Sequence, residues 1–371
     1  MLETKQRFYD IDWLRVIGMS LIFTFHNARF FNDEDWHVKN FQLSFGASVY
    51  VVVLNQFIMP LFFILSAIAI FYALKHRTGK EFMRERASRL LIPLLIGIFT
   101  HIPLQVYIER VTHGQFTGSF WEFIPHYFDG WYGFGGNFAW MGLHLWYLLM
   151  LFLFSWMLLP LFQRIQEAPT LTSRLADFFS QSIMIYLFFI PIMLMEFIVG
   201  LSPETIGRRD FGGWSPLTYL VIFLLGYILA TDKRYRPAIE RVRFFSLTLS
   251  LLLLAIGYGL EMADISISSY YLAPFRGLNT WAWLLTFLGF AIHHLNFNNS
   301  FLKYANEAVL PFYILHQTVI VLVGFFIREW DLAIFPKYLF LAAVSFTIIM
   351  LLYEFIVRRV NLLRFLFGMR G

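Results

Sequence analysis

The chain has 371 residues, of which 58% are hydrophobic and only 14% are charged. A soluble globular protein carries about 25% charged residues, so this composition excludes that class and predicts a protein whose solvent is the lipid bilayer. The net charge of +5 is spread along the chain, which argues against a nucleic-acid partner, and the absence of cysteine excludes disulfides and a cysteine acyl-enzyme.

Ten apolar segments are long enough to cross about 30 Å of hydrocarbon as α-helices. They lie at residues 13–31, 48–74, 88–108, 143–162, 180–200, 215–231, 244–260, 275–295, 307–327 and 336–357. The first segment has no small-residue cleavage site, so we expect a retained helix and no signal peptide. The sequence therefore predicts an all-α, polytopic integral membrane protein of about ten transmembrane helices.

Lysine and arginine are distributed unevenly between the two sets of connecting segments. If both termini are cytoplasmic, 20 of the 29 basic residues fall on the cytoplasmic side. They include Lys5 and Arg7, the cluster from Lys75 to Arg89, the cluster from Lys233 to Arg243, and the C-terminal group from Arg358 to Arg370. Because cytoplasmic connections of membrane proteins are enriched in basic residues, this distribution predicts cytoplasmic termini.

The longest connection, about Ile108–Gly142, is rich in glycine and aromatic residues and lies on the outer side in this topology. It leaves no room for a soluble domain, so we expect a single membrane-embedded domain over residues 1–371. The sequence shows neither a Gly-rich nucleotide motif nor histidines at metal-ligand spacing, and we expect no metal site.

The first predicted helix carries the ionisable residues Asp12, Arg15 and His26. Arg15 and His26 are eleven positions apart, almost three helical turns, so they point to the same side of the helix. Asp12 lies three positions before Arg15 and can pair with it on that side. His26 lies ~21 Å along the axis from Asp12, towards the outer face.

Two interpretations of this helix are open. In the structural one, Arg15 extends to the interface and His26 bonds a neighbouring helix. In the functional one, which we favour because ionisable groups in membrane helices are usually functional, His26 is a general base. Its ordinary pKa of about 6.5 suits proton abstraction near neutral pH.

Five motifs follow one another along nearly the whole chain. They are Asp12–Arg15 with His26, Met59–Ser66, Arg86–Leu90 ahead of Pro93, His144–Leu148, and Pro311–Gln317. In order and spacing they resemble the membrane-bound acyltransferase family 3, although Ala67 stands where that family usually has glycine. Tyr353-Glu354 and Leu363–Gly368 resemble the branch that includes periplasmic glucan succinyltransferases.

The resemblance implies an enzyme of the cell inner membrane that moves an acyl group from cytoplasmic acyl-CoA to a hydroxyl of an extracytoplasmic carbohydrate. Succinyl and acetyl are the candidate acyl groups, and periplasmic glucan is the candidate acceptor. In that reaction His26 activates the acceptor hydroxyl or carries the acyl group, and Arg15 orients the donor or stabilises developing negative charge. Acyl-CoA is expected as a substrate, with no permanently bound cofactor.

Arg86 and Arg89 are the candidate residues for binding the phosphates of acyl-CoA. They lie three positions apart ahead of an apolar segment, and guanidinium groups bind phosphate through two parallel hydrogen bonds. The alternative is that they only contribute to the cytoplasmic excess of positive charge.

Three more residues are candidates for the acceptor site. His144 and Trp146 begin the fourth predicted helix beside the aromatic outer connection, and His316 lies near mid-depth in the ninth. An interfacial aromatic belt and hydrogen bonding between helices are the structural alternatives. Glu196 and Glu354 also lie in apolar segments, and we assign them no role.

A secondary transporter or flippase for a sugar-linked substrate is the rival functional class. Such proteins use buried His and Glu residues as proton relays. The family motifs and the shared face of Arg15 and His26 favour the acyltransferase. A purely structural scaffold leaves both residues unexplained.

Overall fold

The computed structural model describes residues 8–181, 183–265 and 267–369, and it confirms the predicted all-α class. The first nine helices are α1 (Tyr9–Arg29), α2 (Phe45–Asn55), α3 (Ile58–Leu74), α4 (Gly79–Arg86), α5 (Ile92–Thr100), α6 (Ile102–Thr112), α7 (Phe120–His126), α8 (Trp146–Gln166) and α9 (Pro169–Phe179). The other eight are α10 (Phe189–Gly200), α11 (Pro216–Thr231), α12 (Tyr235–Arg241), α13 (Arg243–Met262), α14 (Ala273–His294), α15 (Ser300–Ile327), α16 (Ile334–Leu352) and α17 (Asn361–Leu366). Wide π-helical turns occupy Ala87–Leu91 and Tyr353–Val357, and tight 3-10 turns occupy Leu143–Leu145 and Met184–Phe188.

Five helical segments among the described residues are long and apolar enough to cross a membrane. They are Phe45–Leu74, Leu143–Gln166, Arg243–Met262, Ser300–Ile327 and Ile334–Val357. Three pairs of helices bent at a short break raise the number to eight if each pair is one span. The chain is therefore a polytopic membrane protein, with five to eight candidate spans by length and composition where ten were predicted. The two remaining predicted segments correspond to α1 and α14, which have 21 and 22 residues and several polar side chains.

The bend between α5 and α6 follows directly from the sequence. Pro103 is the second residue of α6, and its ring nitrogen cannot donate the hydrogen bond that a continuous helix requires. The chain turns by 43° at this break. His101 lies at the bend, with its side chain partly exposed.

The chain forms two compact units. The first unit consists of the chain up to Gly18 together with Asn55–Met83 and Phe154–Asn306. The second takes Met19–Leu54, Arg84–Leu153 and the chain from Glu307 onward. α1 begins in the first unit and ends in the second. The single domain over residues 1–371 stays a prediction, as do the cytoplasmic termini.

In the first unit, α11 packs on α3, and α14 packs on α10 and α13. A Cβ atom at Gly226 would lie 2.6 Å from the carbonyl oxygen of Ile64, so only glycine permits this close approach of two helices. The buried indole of Trp281 donates a hydrogen bond of 2.9 Å to the carbonyl of Ile185. The carbonyl of Ile185 thus satisfies the indole N–H of Trp281, as an apolar solvent requires of a buried polar group.

In the second unit, hydrogen bonds fix the C-terminal half of α1 to two neighbouring helices. The hydroxyl of Thr24 lies 2.7 Å from the hydroxyl of Tyr50 in α2. The Tyr338 hydroxyl of α16 donates to the carbonyl of Thr24 over 3.2 Å. These contacts set the position of the next turn of α1, which carries His26.

Candidate active site

His26 lies near the end of α1, in the second unit. Its imidazole stacks on the indole of Trp36, with 6.0 Å between ring centroids and 19° between ring planes. The ring is partly exposed, but its Nδ1 atom is buried and has no hydrogen-bond partner among the described residues. Because buried polar atoms nearly always have a partner, this nitrogen is a candidate for contact with a substrate.

His316 lies in α15 and is fully buried. Its Nδ1–H donates a hydrogen bond of 2.6 Å to the carbonyl of Tyr313, one turn earlier. An imidazole that donates through one nitrogen carries a lone pair on the other. That second nitrogen, Nε2, is buried without a partner in the described part of the chain.

His144 is presented by a turn with unusual backbone angles. Gly142 and Leu143 both have positive φ, at 73° and 51°, and this conformation is costly for leucine. The turn places the His144 side chain in the interior, where Nε2–H donates 3.1 Å to the carbonyl of Ile314. Its Nδ1 is another buried nitrogen for which the described residues offer no partner.

The three imidazoles lie side by side. The ring of His316 is 5.0 Å from the ring of His26 and 5.1 Å from the ring of His144, centroid to centroid. The structure therefore brings together three of the predicted site residues from three distant segments. Their unpartnered nitrogens are suited to accept a proton or a hydrogen bond from a hydroxyl group. In the described ranges, no group of three His, Cys, Asp or Glu side chains is arranged to hold a metal ion.

Arg15 lies in the first unit and forms the predicted pair with Asp12. The Arg15 Nη1 atom is 3.4 Å from the Asp12 carboxylate, three positions earlier in α1. This pairing confirms the local geometry that the spacing predicted. The catalytic role of Arg15 stays a prediction.

Arg86 is the last residue of α4, and Arg89 lies in the following π-helical turn, Ala87–Leu91. Arg89 Nε donates to the carbonyl of Gly368 over 3.1 Å, and Nη1 lies 3.7 Å from the carboxylate of Glu85. Arg89 therefore helps to hold the C-terminal segment of the second unit. The phosphate-binding role stays a prediction for both arginines.

Trp146 begins α8, two positions after His144. Residues two positions apart on a helical segment do not face the same side. The indole is partly exposed and lies edge-on to the ring of Tyr147, 6.4 Å away. Its acceptor-site role stays a prediction, and the geometry supports it less well than that of His144.

The sequence interpretation missed a buried polar cluster in the second unit. His37 hydrogen-bonds Glu109 and Gln317, and Gln317 also donates to Gln105. Glu109 stands just beyond the apolar segment 88–108, and a carboxylate at that edge is a signal that could have been used. His37 and its neighbour Trp36 lie in a connection that carries no comparable signal.

Lys39 lies in the same connection as His37. Its ammonium group donates to the carbonyl of Arg29 and to the side chain of Asn32, at 2.6 and 2.8 Å. Burial, followed by the nearby charge of Arg29, lowers the pKa of Lys39 to about 8. The connection is therefore held by an amine that titrates near the pH range of the cell.

Glu196, to which the sequence assigned no role, is fully buried in the first unit. Its carboxylate lies 2.6 Å from the guanidinium of Arg209 and accepts a hydrogen bond of 2.5 Å from Thr218. Arg276 approaches to 3.7 Å. These partners satisfy the buried charge, which is the pattern of a structural ion pair.

Known proteins resemble this chain over nearly its whole length. The sequence model of the acyltransferase domain family matches residues 8–354. Glucans biosynthesis protein C of Escherichia coli K12 is 26% identical over 382 residues, which cover 98% of this chain and 94% of that protein. The protein of the same name from Escherichia coli O1:K1 is 26% identical over 385 residues, with the same coverage. No solved structure matches.

Proposed function

The chain belongs to the acyltransferase domain family, and on that premise we propose that it is an O-acyltransferase of the bacterial inner membrane. It transfers a succinyl or acetyl group from cytoplasmic acyl-CoA to a hydroxyl of an extracytoplasmic carbohydrate. The name of its relatives, glucans biosynthesis protein C, supports a glucan as the acceptor. The cytoplasmic excess of basic residues supports this orientation of the chain.

The observation that carries the proposal is the cluster of His26, His144 and His316, with ring centroids 5.0 and 5.1 Å apart. His26 is the most accessible of the three, since it is partly exposed while the other two are buried. It is therefore the imidazole that a substrate reaches first. We assign it the role of general base.

The reaction has a simple proton balance. His26 accepts the proton of the acceptor hydroxyl as the hydroxyl oxygen attacks the thioester carbonyl carbon. A C–O bond forms, the C–S bond breaks, and the CoA thiolate leaves with the electron pair. The thiolate takes the proton from the His26 imidazolium, which restores the neutral ring. The products are the carbohydrate ester and free CoA.

His316 and His144 support this step from within the second unit. The His316 Nε2 and His144 Nδ1 lone pairs lack partners among the described residues, so they can accept hydrogen bonds from hydroxyl groups of the acceptor. A carbohydrate offers several such donors. Trp146 is proposed as a further contact for the sugar, beside His144.

We assign the binding of the acyl-CoA donor to three arginine residues, in keeping with the family resemblance. Arg86 and Arg89 bind the phosphates of acyl-CoA at the cytoplasmic surface, and Arg15 orients the donor. Arginine suits these roles because its planar fork binds phosphate and carboxylate through paired hydrogen bonds.

The test is acyl transfer by the purified protein in vesicles. Labelled succinyl-CoA and acetyl-CoA are supplied on the cytoplasmic side, and glucan oligosaccharides are supplied on the other side and examined by mass spectrometry. Loss of a general base costs ~10²–10⁴-fold in rate, so we expect His26→Gln to lose at least that much.

The matched control is His294→Gln, because His294 is an exposed histidine of the first unit. It should retain normal transfer. Near-normal turnover of the His26→Gln variant would remove the proposed mechanism. Sugar transport by the wild type without any acylation would favour the transporter class.

A further inference from the structure

Glu109 is the centre of the buried polar cluster of the second unit. One of its carboxylate oxygens accepts hydrogen bonds from the Nδ1–H of His37 and, at 2.8 Å, from the hydroxyl of Tyr132. The other oxygen accepts from Arg110 Nη1 at 3.0 Å. Three donors on one side chain are the pattern of a carboxylate. The arrangement fixes the tautomer of His37, with its hydrogen on Nδ1.

An amide nitrogen can only donate, so the Nε2 of His37, which faces the amide nitrogen of Gln317, is an acceptor. The amide nitrogen of Gln317 fills that position at 2.9 Å. The same nitrogen donates its second hydrogen to Gln105 Oε1 at 3.0 Å. Gln105 Nε2 in turn donates to the hydroxyl of Thr318 at 2.5 Å. The direction of every hydrogen bond in the chain is thereby fixed from Glu109 onward.

This chain of hydrogen bonds joins three segments of the second unit. His37 belongs to the connection between α1 and α2, Glu109 to α6, and Gln317 to α15. We call these three residues the clamp. Two of its members directly follow a residue whose ring lies beside His26: Trp36 precedes His37, and His316 precedes Gln317.

Both rings lie within contact distance of His26. The Trp36 indole is 6.0 Å away in a stacked arrangement, and the His316 imidazole is 5.0 Å away. On the basis of the proposed function, we propose that Glu109 and His37 are positioning residues for acyl transfer, which act by holding Trp36 and His316 against the catalytic ring.

The rate of proton transfer depends strongly on geometry. A displacement of about 1 Å at a reacting group costs up to ~10²-fold in rate. A buried hydrogen-bonded network with every member satisfied holds a single arrangement, whereas removal of one member leaves the others without partners. Loss of the Glu109 carboxylate would thus release His37 and Trp36 together.

The first measurement is turnover of Glu109→Gln, which keeps the size of the side chain and removes its charge. We expect kcat to fall ~10–100-fold. The control is Glu122→Gln, because Glu122 is an exposed carboxylate of the same unit and should tolerate the change. His37→Phe should match Glu109→Gln, whereas His37→Asn should be partly active, because its amide can still donate to Glu109.

A double variant separates positioning from general loss of stability. If Glu109 acts through Trp36, then Glu109→Gln added to Trp36→Ala should lower kcat by less than twofold further. Independent destabilisation would instead multiply the two losses. Full multiplication of the two effects would overturn the positioning role.

A second measurement does not depend on activity. Val38 is fully buried beside His37, and the chain has no cysteine, so Val38→Cys supplies a single reactive thiol. A water-soluble maleimide should label it at least tenfold faster when Glu109→Gln is also present. Unchanged labelling would show that Glu109 does not hold this connection, and faster labelling with normal turnover would show that the connection does not position the catalytic ring. A wild-type protein that transfers no acyl group would remove the proposed function itself.

Discussion

His316 donates its Nδ1–H to the backbone carbonyl of Tyr313 at 2.6 Å, within the same helix. This bond fixes the tautomer, so the Nε2 lone pair belongs to the histidine cluster and not to the helix. His316 therefore offers the cluster two things, a planar ring and a hydrogen-bond acceptor at Nε2.

Replacement of His316 should separate these two contributions. His316→Phe keeps a planar ring and removes both nitrogens, and we expect transfer to fall ~10–100-fold, because an acceptor for a substrate hydroxyl is lost. His316→Gln places an amide near the Nε2 position and should retain more activity. Release of CoA from acyl-CoA measures both variants, with thermal unfolding as the control for stability. Equal activity of the two variants would contradict a role for the nitrogen.

Charge reversal at Arg86 tests the donor site more cleanly than charge reversal at Arg89. Arg89 also holds the carbonyl of Gly368, so its loss disturbs the C-terminal segment. We expect Arg86→Glu to raise KM for acyl-CoA at least tenfold with little change in kcat, because a phosphate contact is replaced by repulsion. Arg84→Glu is the control, because Arg84 is an exposed residue of the same helix. Equal KM values for the two variants would show that Arg86 does not bind acyl-CoA and contributes only to the cytoplasmic excess of positive charge.

The pKa of Lys39 predicts a pH dependence of stability. Burial and the charge of Arg29 lower this pKa to about 8 from an ordinary value of 10.5. Between these two values the unfolded chain binds a proton that the folded chain does not, so the contribution of Lys39 to stability increases as the pH rises through this window. The unfolding temperature of the wild type relative to Lys39→Met should therefore rise from pH 7.5 to pH 9.5. A constant difference would contradict the lowered pKa.

The topology prediction concerns six sites along the chain. Reporter proteins fused after Arg77, Arg236 and Arg364 should be cytoplasmic, and those fused near Asp35, His126 and Ser268 should be on the outer side. Enzymatic reporters that are active on only one side of the membrane measure this directly. An outer signal at Arg236 would contradict the ten-helix prediction.

Much of the fold could be predicted, because apolar length is a local property. Each of the ten predicted segments overlaps a helix, and the pairing of Asp12 with Arg15 followed from helical spacing alone. The bends were not predicted, although Pro103 offered a signal. Only the bend between α5 and α6 divides a predicted span, 88–108, whereas the other two bends lie at the edges of the predicted spans 180–200 and 215–231.

The site was predicted as single residues and not as a cluster. His26 and His316 were chosen because they lie within apolar segments, and His144 because it begins a predicted helix beside the aromatic connection. The contact among the three rings depends on how distant helices pack. No periodicity within one helix contains that information. Trp36 and His37 were missed for the same reason, because an aromatic residue and a histidine in a connecting segment look interfacial until their partners on α6 and α15 are known.

The hydrogen bond between His37 and Gln317 joins positions 280 residues apart, and this separation has a consequence in time. A ribosome adds about 5–20 residues per second, so α1 and its following connection wait roughly 15–60 s before α15 is made. During that interval the Nε2 atom of His37 lacks the amide of Gln317, and water, headgroups or the insertion machinery must take its place. The proposed site is therefore complete only when translation is nearly finished, and a chain that terminates before Gln317 would carry His26 without one partner of His37.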